Sequence, residues 1–256
     1  MNYLGTSGWY YDHWASRFYP TGLSKGDWLP YYCTRFNTVE VNASFYRLPS
    51  KAMVAGWRTK TPEDFVFSFK GSRLVTHQRK LKGTTEDLTR FYTRIRNIGE
   101  KLGVILWQLP PSLQKDLPLL ESFLADLDPG LRQAIEFRHA SWLTPETYGL
   151  LERYQVGLCI VSSPTLPVVM KTTTSFAYLR WHGGTLLYAT NYRNDEIKAW
   201  AASITRLPVD DVYGYFNNDA FAYAPKNCLE LKAVLKQQTQ ADYTENQETN
   251  GKSHPF

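Results

Sequence analysis

Charged and polar residues recur at the ends of the apolar segments of this chain, with a spacing of two. In FNTVEVNASFY (36–46), Thr38, Glu40 and Asn42 alternate with Val39 and Val41. An extended segment sends successive side chains to opposite faces, so Glu40 and Asn42 share a face behind which two valines pack. QAIEFR (133–138) repeats the pattern, with Glu136 and Arg138 opposite Ile135 and Phe137. In SFAYLRWH (175–182), Arg180 and His182 share a face with Tyr178, opposite Leu179 and Trp181. A buried charge is tolerated only with partners. These faces therefore imply one another, together with Thr6, Ser7, Lys70, Gln108, Ser162, Asn217 and Asn218 at comparable positions.

The residue types define the chemistry such a cluster can do. Two carboxylates, Glu40 and Glu136, suit general acid–base work if their surroundings split their pKa values. Arg138 and Arg180 can fork a carboxylate or phosphate. His182, followed by Gly183 and Gly184, suits a proton shuttle or a satisfied hydrogen-bonding position. Lys70 could form a Schiff base if desolvated, but the carboxylates are expected to keep it protonated. Glu40, Glu136, His182 and Lys70 are thus the candidate catalytic residues. Asn42, Arg73, His77, Gln108, Arg138, Arg180, Asn217, Asn218 and Trp9 are the candidate binding residues. The alternative is an ion-pair network that only fills space; burying this many charges for packing alone is unfavourable, which points to a ligand pocket.

Other chemistries find less support. The five histidines form no HxH or HExxH pair. Glu40, Glu136 and His182 could form a non-sequential metal site, but the neighbouring cations would repel the ion, so no metal and no cofactor are expected. GxxxxGK[ST], GxGxxG after a strand and GxSxG are all missing. The net charge is only +5, yet Lys51–Lys101 holds 12 Lys and Arg against 5 Asp and Glu. KGSRLVTHQRKLKG (70–83) has Lys70, Arg73, His77, Arg79, Lys80 and Lys82 and no acid, which attracts anions or forms a solvated loop. Trp9, Tyr10 and Trp14 nearby could stack a sugar or a base, or simply pack.

Eight extended segments must position these residues: 3–6, 36–42, 65–70, 103–109, 133–138, 157–162, 175–182 and 211–216. Helical patterns fall between most of them, at 25–34, 50–60, from Thr84 or Thr85, at 117–127, 145–155 and 194–206, and after the last at 220–236. This alternation predicts an α/β fold, a single-domain TIM-type (β/α)8 barrel over residues 1–236, with the sixth helix short or absent around Pro164. The polar stretch 237–256 reads as a disordered tail. A composition of 43% hydrophobic and 15% aromatic residues is enough for a sizeable core. Cys33, Cys159 and Cys228 are odd in number and widely spaced, so reduced thiols in a cytoplasmic protein are expected. No signal-peptide pattern and no apolar run of about 18 residues appears, so no membrane partner is expected.

Seven blocks resemble a known family in sequence and spacing: GTSGWYYDHWASRFYP (5–20), FNTVEVNASFYRLP (36–49), FVFSFKGSRLVTH (65–77), LGVILWQLPP (102–111), AIEFRHASW (134–142), YLRWHG (178–183) and YGYFNNDAFAYAPKN (213–227). They are similar to the YecE-like family of uncharacterised bacterial and archaeal proteins, domain-of-unknown-function family seventy-two. The resemblance implies a TIM-type barrel and supplies no activity. Its blocks carry most of the residues chosen by alternation, and Cys228 departs from the small residue more usual in the family. The expected function is a hydrolase- or lyase-type enzyme for a small anionic or polyhydroxylated substrate, phosphate- or sugar-like. The alternatives are a nucleic-acid-binding or nucleic-acid-processing barrel and a non-catalytic ligand-binding protein. The sequence does not give the oligomeric state.

Overall fold

The structure, a computed structural model, describes residues 1–250. Eight parallel strands form one sheet in the order β1-β8-β7-β6-β5-β4-β3-β2. They are β1 (Asn2–Thr6), β2 (Thr38–Val41), β3 (Val66–Lys70), β4 (Leu102–Gln108), β5 (Gln133–Glu136), β6 (Gly157–Ser162), β7 (Phe176–Trp181) and β8 (Asp211–Phe216). The expected TIM-type barrel is the architecture found.

The barrel closes between β1 and β2 without a regular ladder. The Gly8 amide donates to the Glu40 carbonyl at 2.8 Å, at the top of the seam. Lower down, the Tyr32 hydroxyl takes the place of a strand–strand bond. It accepts from the Thr6 amide at 2.9 Å and donates to the Thr38 carbonyl at 3.1 Å. Gly5 permits this approach, since a Cβ there would lie 2.2 Å from the Thr38 carbonyl oxygen.

Eight helices accompany the strands among the described residues: α1 (Trp28–Cys33), α2 (Ala43–Tyr46), α3 (Lys51–Thr59), α4 (Thr85–Ile95), α5 (Leu117–Asp126), α6 (Pro145–Arg153), α7 (Asn194–Thr205) and α8 (Tyr223–Asn250). Pro30 sits in the first turn of α1, where its missing N–H is harmless. Ser50 caps α3 by accepting the Met53 amide at 3.1 Å. Thr84 precedes α4, but its side chain makes no capping bond. No helix lies between β6 and β7, as the prolines of that segment lead one to expect. The basic stretch after β3 is not plain loop, since Leu74–Gln78 winds into a π-helical turn. α8 continues past Lys236 to Asn250, because residues 237–250 contain neither Pro nor Gly to stop it. The remainder of the expected tail, 251–256, lies outside the described residues.

Strand parity divides the core. Val39, Val41, Phe67, Phe69, Ile105, Trp107, Ile135, Leu179 and Trp181 face the helices. Inside the barrel, Val104, Leu106, Ala134, Cys159, Val161, Phe176, Tyr178, Tyr213 and Tyr215 form a separate cluster. Tyrosines fill this interior because their hydroxyls find partners there. The Tyr215 hydroxyl donates to Ser68 Oγ at 2.8 Å and lies 2.8 Å from Thr38 Oγ1. The plug of side chains seals the barrel below the polar layer.

Candidate functional site

Above the plug, at the C-terminal ends of the strands, the structure brings Glu40, Glu136, Arg138, Arg180, His182, Gln108 and Asn217 together. Arg180 is the centre. Its Nη2 donates to Glu40 Oε1 and its Nη1 to Glu136 Oε2, both at 2.6 Å. All three side chains are wholly buried. Glu40 also accepts from Ser7 Oγ and from the Tyr178 hydroxyl, each at 2.6 Å. Glu136 accepts from Gln108 Nε2 at 2.9 Å and from Arg138 Nε. His182 places Nε2 3.0 Å from Glu136 Oε1 and 2.8 Å from Arg138 Nη2, and Nδ1 3.1 Å from Asn217 Nδ2.

This pairing sets the protonation states. Burial alone would raise the Glu136 carboxyl. Arg138, then Arg180 and His182, outweigh it and hold Glu136 well below the ordinary carboxylate range. Burial lowers His182 to about 3, with Arg180 and Arg138 adding to the shift against the pull of Glu136. The ring is therefore neutral at physiological pH. Both carboxylates are saturated with donors and shielded from solvent. They fix the guanidiniums and form a floor beneath the mouth. The metal alternative fails for a related reason: the Arg180 guanidinium occupies the space between the two carboxylates.

Lys70 ends β3 and differs from its neighbours. Its Nζ lies 4.0 Å from the centroid of the Phe45 ring, and among the described residues no carboxylate forms an ion pair with it. Burial lowers its pKa to about 7. Arg180 adds to the shift, while Glu136 and Glu40 pull the other way without restoring it. The carboxylates are bound to Arg180 and Arg138, so they hold Lys70 in its protonated form less firmly than the sequence led one to expect. Phe45, on α2 directly after β2, supplies the apolar contact. Sequence reasoning passed over it because α2 spans only four residues and shows no period.

Lys70 opens into a cleft of about 440 Å³ lined by Tyr11, Asn42, Tyr46, Tyr188, Asn217, Asp219 and Ala220. Asn42 Oδ1 is buried there without a hydrogen-bond partner among the described residues. Asp219 accepts from Trp14 Nε1 at 2.8 Å and pairs with His13 Nε2 at 2.9 Å, and burial pushes its carboxyl up to about 6. Asp219 was not among the sequence candidates, although it directly follows Asn217 and Asn218. Tyr46 and Tyr188 are 71% and 42% exposed, so aromatic faces at the mouth are open to a ligand.

Several expected binding residues lie elsewhere. Trp9 packs edge-on against Trp57 and Phe67 in the helix layer, and Trp14 is fully buried. Trp14 is closed to a ligand and Trp9 is partly buried in packing, while Tyr10 of the same loop is 56% exposed. Asn218 is buried and ties the β8 end to Thr190 and Asn227 at 2.8 Å, a structural bond. His77 stands edge-on to Phe45 at 4.9 Å and bonds Thr76, with Arg73 exposed beside it. Burial, then Lys70 and Arg73, depresses the His77 pKa, so His77 is a neutral ring beside these two basic residues. Arg79 is held by Asp87 at 2.6 Å.

Fold and site together define a TIM-like parallel barrel with a buried glutamate–arginine layer beneath an open mouth. The family model for a protein of unknown function, DUF72, matches residues 3–251, and the chain belongs to that family. It is 33% identical over 140 residues to the UPF0759 protein YecE of Escherichia coli, a match covering 54% of this chain and 49% of that protein. The chain thus spans about half the length of the E. coli relatives that it matches. It is 25% identical to the UPF0759 protein YunF of Bacillus subtilis, over 92% of this chain and 95% of YunF. The crystal structure of a DUF72 family protein from Thermotoga maritima superposes with a TM-score of 0.86 at 31% identity, covering 92% of this chain and 99% of that one. A DUF72 protein from Enterococcus faecalis shares the fold, with a TM-score of 0.80 at 21% identity over 92% of this chain and 96% of that one. No helix among the described residues is long and apolar enough to cross a membrane.

Proposed function

We propose that the protein is an enzyme of hydrolase or lyase type that holds a small anionic, polyhydroxylated molecule in the cleft and uses Lys70 as its proton-transferring group. The single observation that carries this reading is the Lys70 amine, with a pKa of about 7, in an open cleft and without a carboxylate partner. A base whose pKa lies near the working pH combines a useful neutral fraction with adequate proton affinity. Asn42 and Asn217 offer amides to hydroxyl groups, and the exposed Arg73 at the rim attracts negative charge. Asp219, with a carboxyl raised to about 6, supplies a complementary acid on the same cleft wall. Three free cysteines, Cys33, Cys159 and Cys228, support a reducing, cytoplasmic setting.

The test is a thermal-shift series with inorganic phosphate and a panel of sugar phosphates, followed by turnover assays on whatever stabilises the chain. Stabilisation that Lys70→Met and Asn42→Ala both weaken is expected. The reading fails if no anion stabilises the wild type more than it stabilises Lys70→Met.

A further inference from the structure

Among the described residues three lysine side chains are at least partly buried, and two of them are anchored. Lys101 donates from Nζ to the Arg58 carbonyl at 2.7 Å, the Thr61 carbonyl at 2.8 Å and Thr61 Oγ1 at 3.1 Å. Lys232 donates to the Arg35 carbonyl at 3.0 Å and lies over Phe36. Oxygen acceptors are how this fold satisfies an ammonium that only supports structure. Lys70 Nζ has no such acceptor among the described residues. It rests on the Phe45 ring at 4.0 Å and shares its surroundings with two guanidiniums that repel an ammonium. A lysine placed this way has a cation–π contact and two carboxylates at longer range, but no oxygen acceptor to hold its protons, and it retains an accessible lone pair when neutral.

Resting on the reading of the cleft given above, we propose that the substrate carries an aldehyde or ketone and that Lys70 binds it covalently as a Schiff base. The neutral Nζ adds to the carbonyl carbon while the carbonyl oxygen takes up a proton, giving a carbinolamine. The carbinolamine oxygen then accepts a second proton and leaves as water, as the nitrogen lone pair forms the C=N bond. One of the two nitrogen protons is released to solvent, so the amine and the carbonyl give a protonated imine with the net uptake of one proton. Asp219 is the acid on the cleft wall that can deliver protons to the oxygen. Burial keeps a share of its carboxyl protonated near pH 6. The protonated imine then acts as an electron sink for breaking or forming a bond next to the former carbonyl, which is lyase chemistry. The electropositive rim selects carbonyl compounds that also bear a carboxylate or phosphate.

The full chain would be incubated with pyruvate or dihydroxyacetone phosphate as probes, then reduced with cyanoborohydride. Intact mass and peptide mapping locate any adduct. The expected result is one reduced adduct per chain, on Lys70, formed at least about tenfold faster than on Lys51, Lys80 or Lys82, because neutral amines react and exposed lysines are almost fully protonated near neutral pH. Lys70→Arg, which keeps a basic side chain of similar length but not the nucleophile, abolishes it. Labelling spread evenly over the lysines overturns the proposal. Absence of a Lys70 adduct while phosphate still raises the thermal midpoint overturns the covalent step and leaves the anion-binding cleft standing. Absence of both overturns the two readings together.

Discussion

Arg180 reaches from β7 across the barrel lumen to Glu40 on β2, a bond of 2.6 Å between two side chains without solvent exposure. The same guanidinium holds Glu136 on β5 at 2.6 Å. One residue thus ties three non-adjacent strands at the end of the barrel where the cleft opens, and it is the cationic partner of Glu40 and shares Glu136 with Arg138.

Removing Arg180 leaves Glu40 without a cationic partner and Glu136 with Arg138 alone. Arg180→Met is expected to destabilise the fold by about 3–5 kcal/mol, the usual consequence of leaving a buried charge without its partner. Urea denaturation of the two proteins at neutral pH reads this directly. A change below about 1 kcal/mol would mean that Ser7, Tyr178, Gln108 and Arg138 suffice to hold the carboxylates.

Lys70 imposes a pH dependence on stability that runs in the same direction as acid loss but at higher pH. Its amine titrates at about 7 in the folded chain, against an ordinary value of 10.5. Between these values the unfolded chain binds the proton and the folded chain does not, so stability rises with pH across this window. The slope attributable to this group is up to about 1.4 kcal/mol per pH unit. Arg180 and Arg138 face the amine with like charge, and Glu136 and Glu40 with opposite charge. Lys70→Met should erase the slope and be more stable than the wild type below neutral pH. Denaturation midpoints for both proteins across the range from about 6 to about 10 check it.

Acid acts through His182 and Glu136. His182 titrates at about 3 when folded and at 6.5 ordinarily, so below 6.5 the unfolded chain takes up a proton that the folded chain refuses. Stability should fall as pH drops from about 6.5 towards 3. Glu136, held well below 4.5, adds to the loss at the lower end of that range. His182→Gln should remove the decline between about 6.5 and 4.5 and retain the steeper fall beneath it, as measured by urea midpoints.

The lower part of the β1–β2 seam is held by one hydroxyl. Tyr32→Phe leaves the Thr6 amide and the Thr38 carbonyl without their buried partner, which should lower stability by about 1–3 kcal/mol. Hydrogen exchange should show the Thr6 amide losing protection first, with β4 and β5 unchanged.

Much of the barrel was legible beforehand. The period of two set the facing of Glu40, Glu136, Arg180 and His182 correctly, because valines and aromatics on the other face must meet the helices. Strand positions held to within a few residues for the same reason. Phe45 and Asp219 were less visible. One sits in a four-residue helix and the other in a loop, and neither place has a repeating pattern to mark it. Trp9 was read as a binding residue because an aromatic loop looks alike whether it packs or is open.

The sequence by itself determined the alternation of strands and helices and which side chains share an inner face, since both follow from local backbone geometry and burial. Only the tertiary structure decided which charges pair. Arg180 is 140 residues from Glu40 and 44 from Glu136 along the chain, yet it satisfies both. Once those carboxylates are occupied, Lys70 is left without an anion, and its chemistry changes from that of a fixed cation to that of an amine. Pairing is a matter of distances of a few ångströms between remote segments, and desolvation depends on everything packed around them. Neither is written in the spacing of residues along the chain.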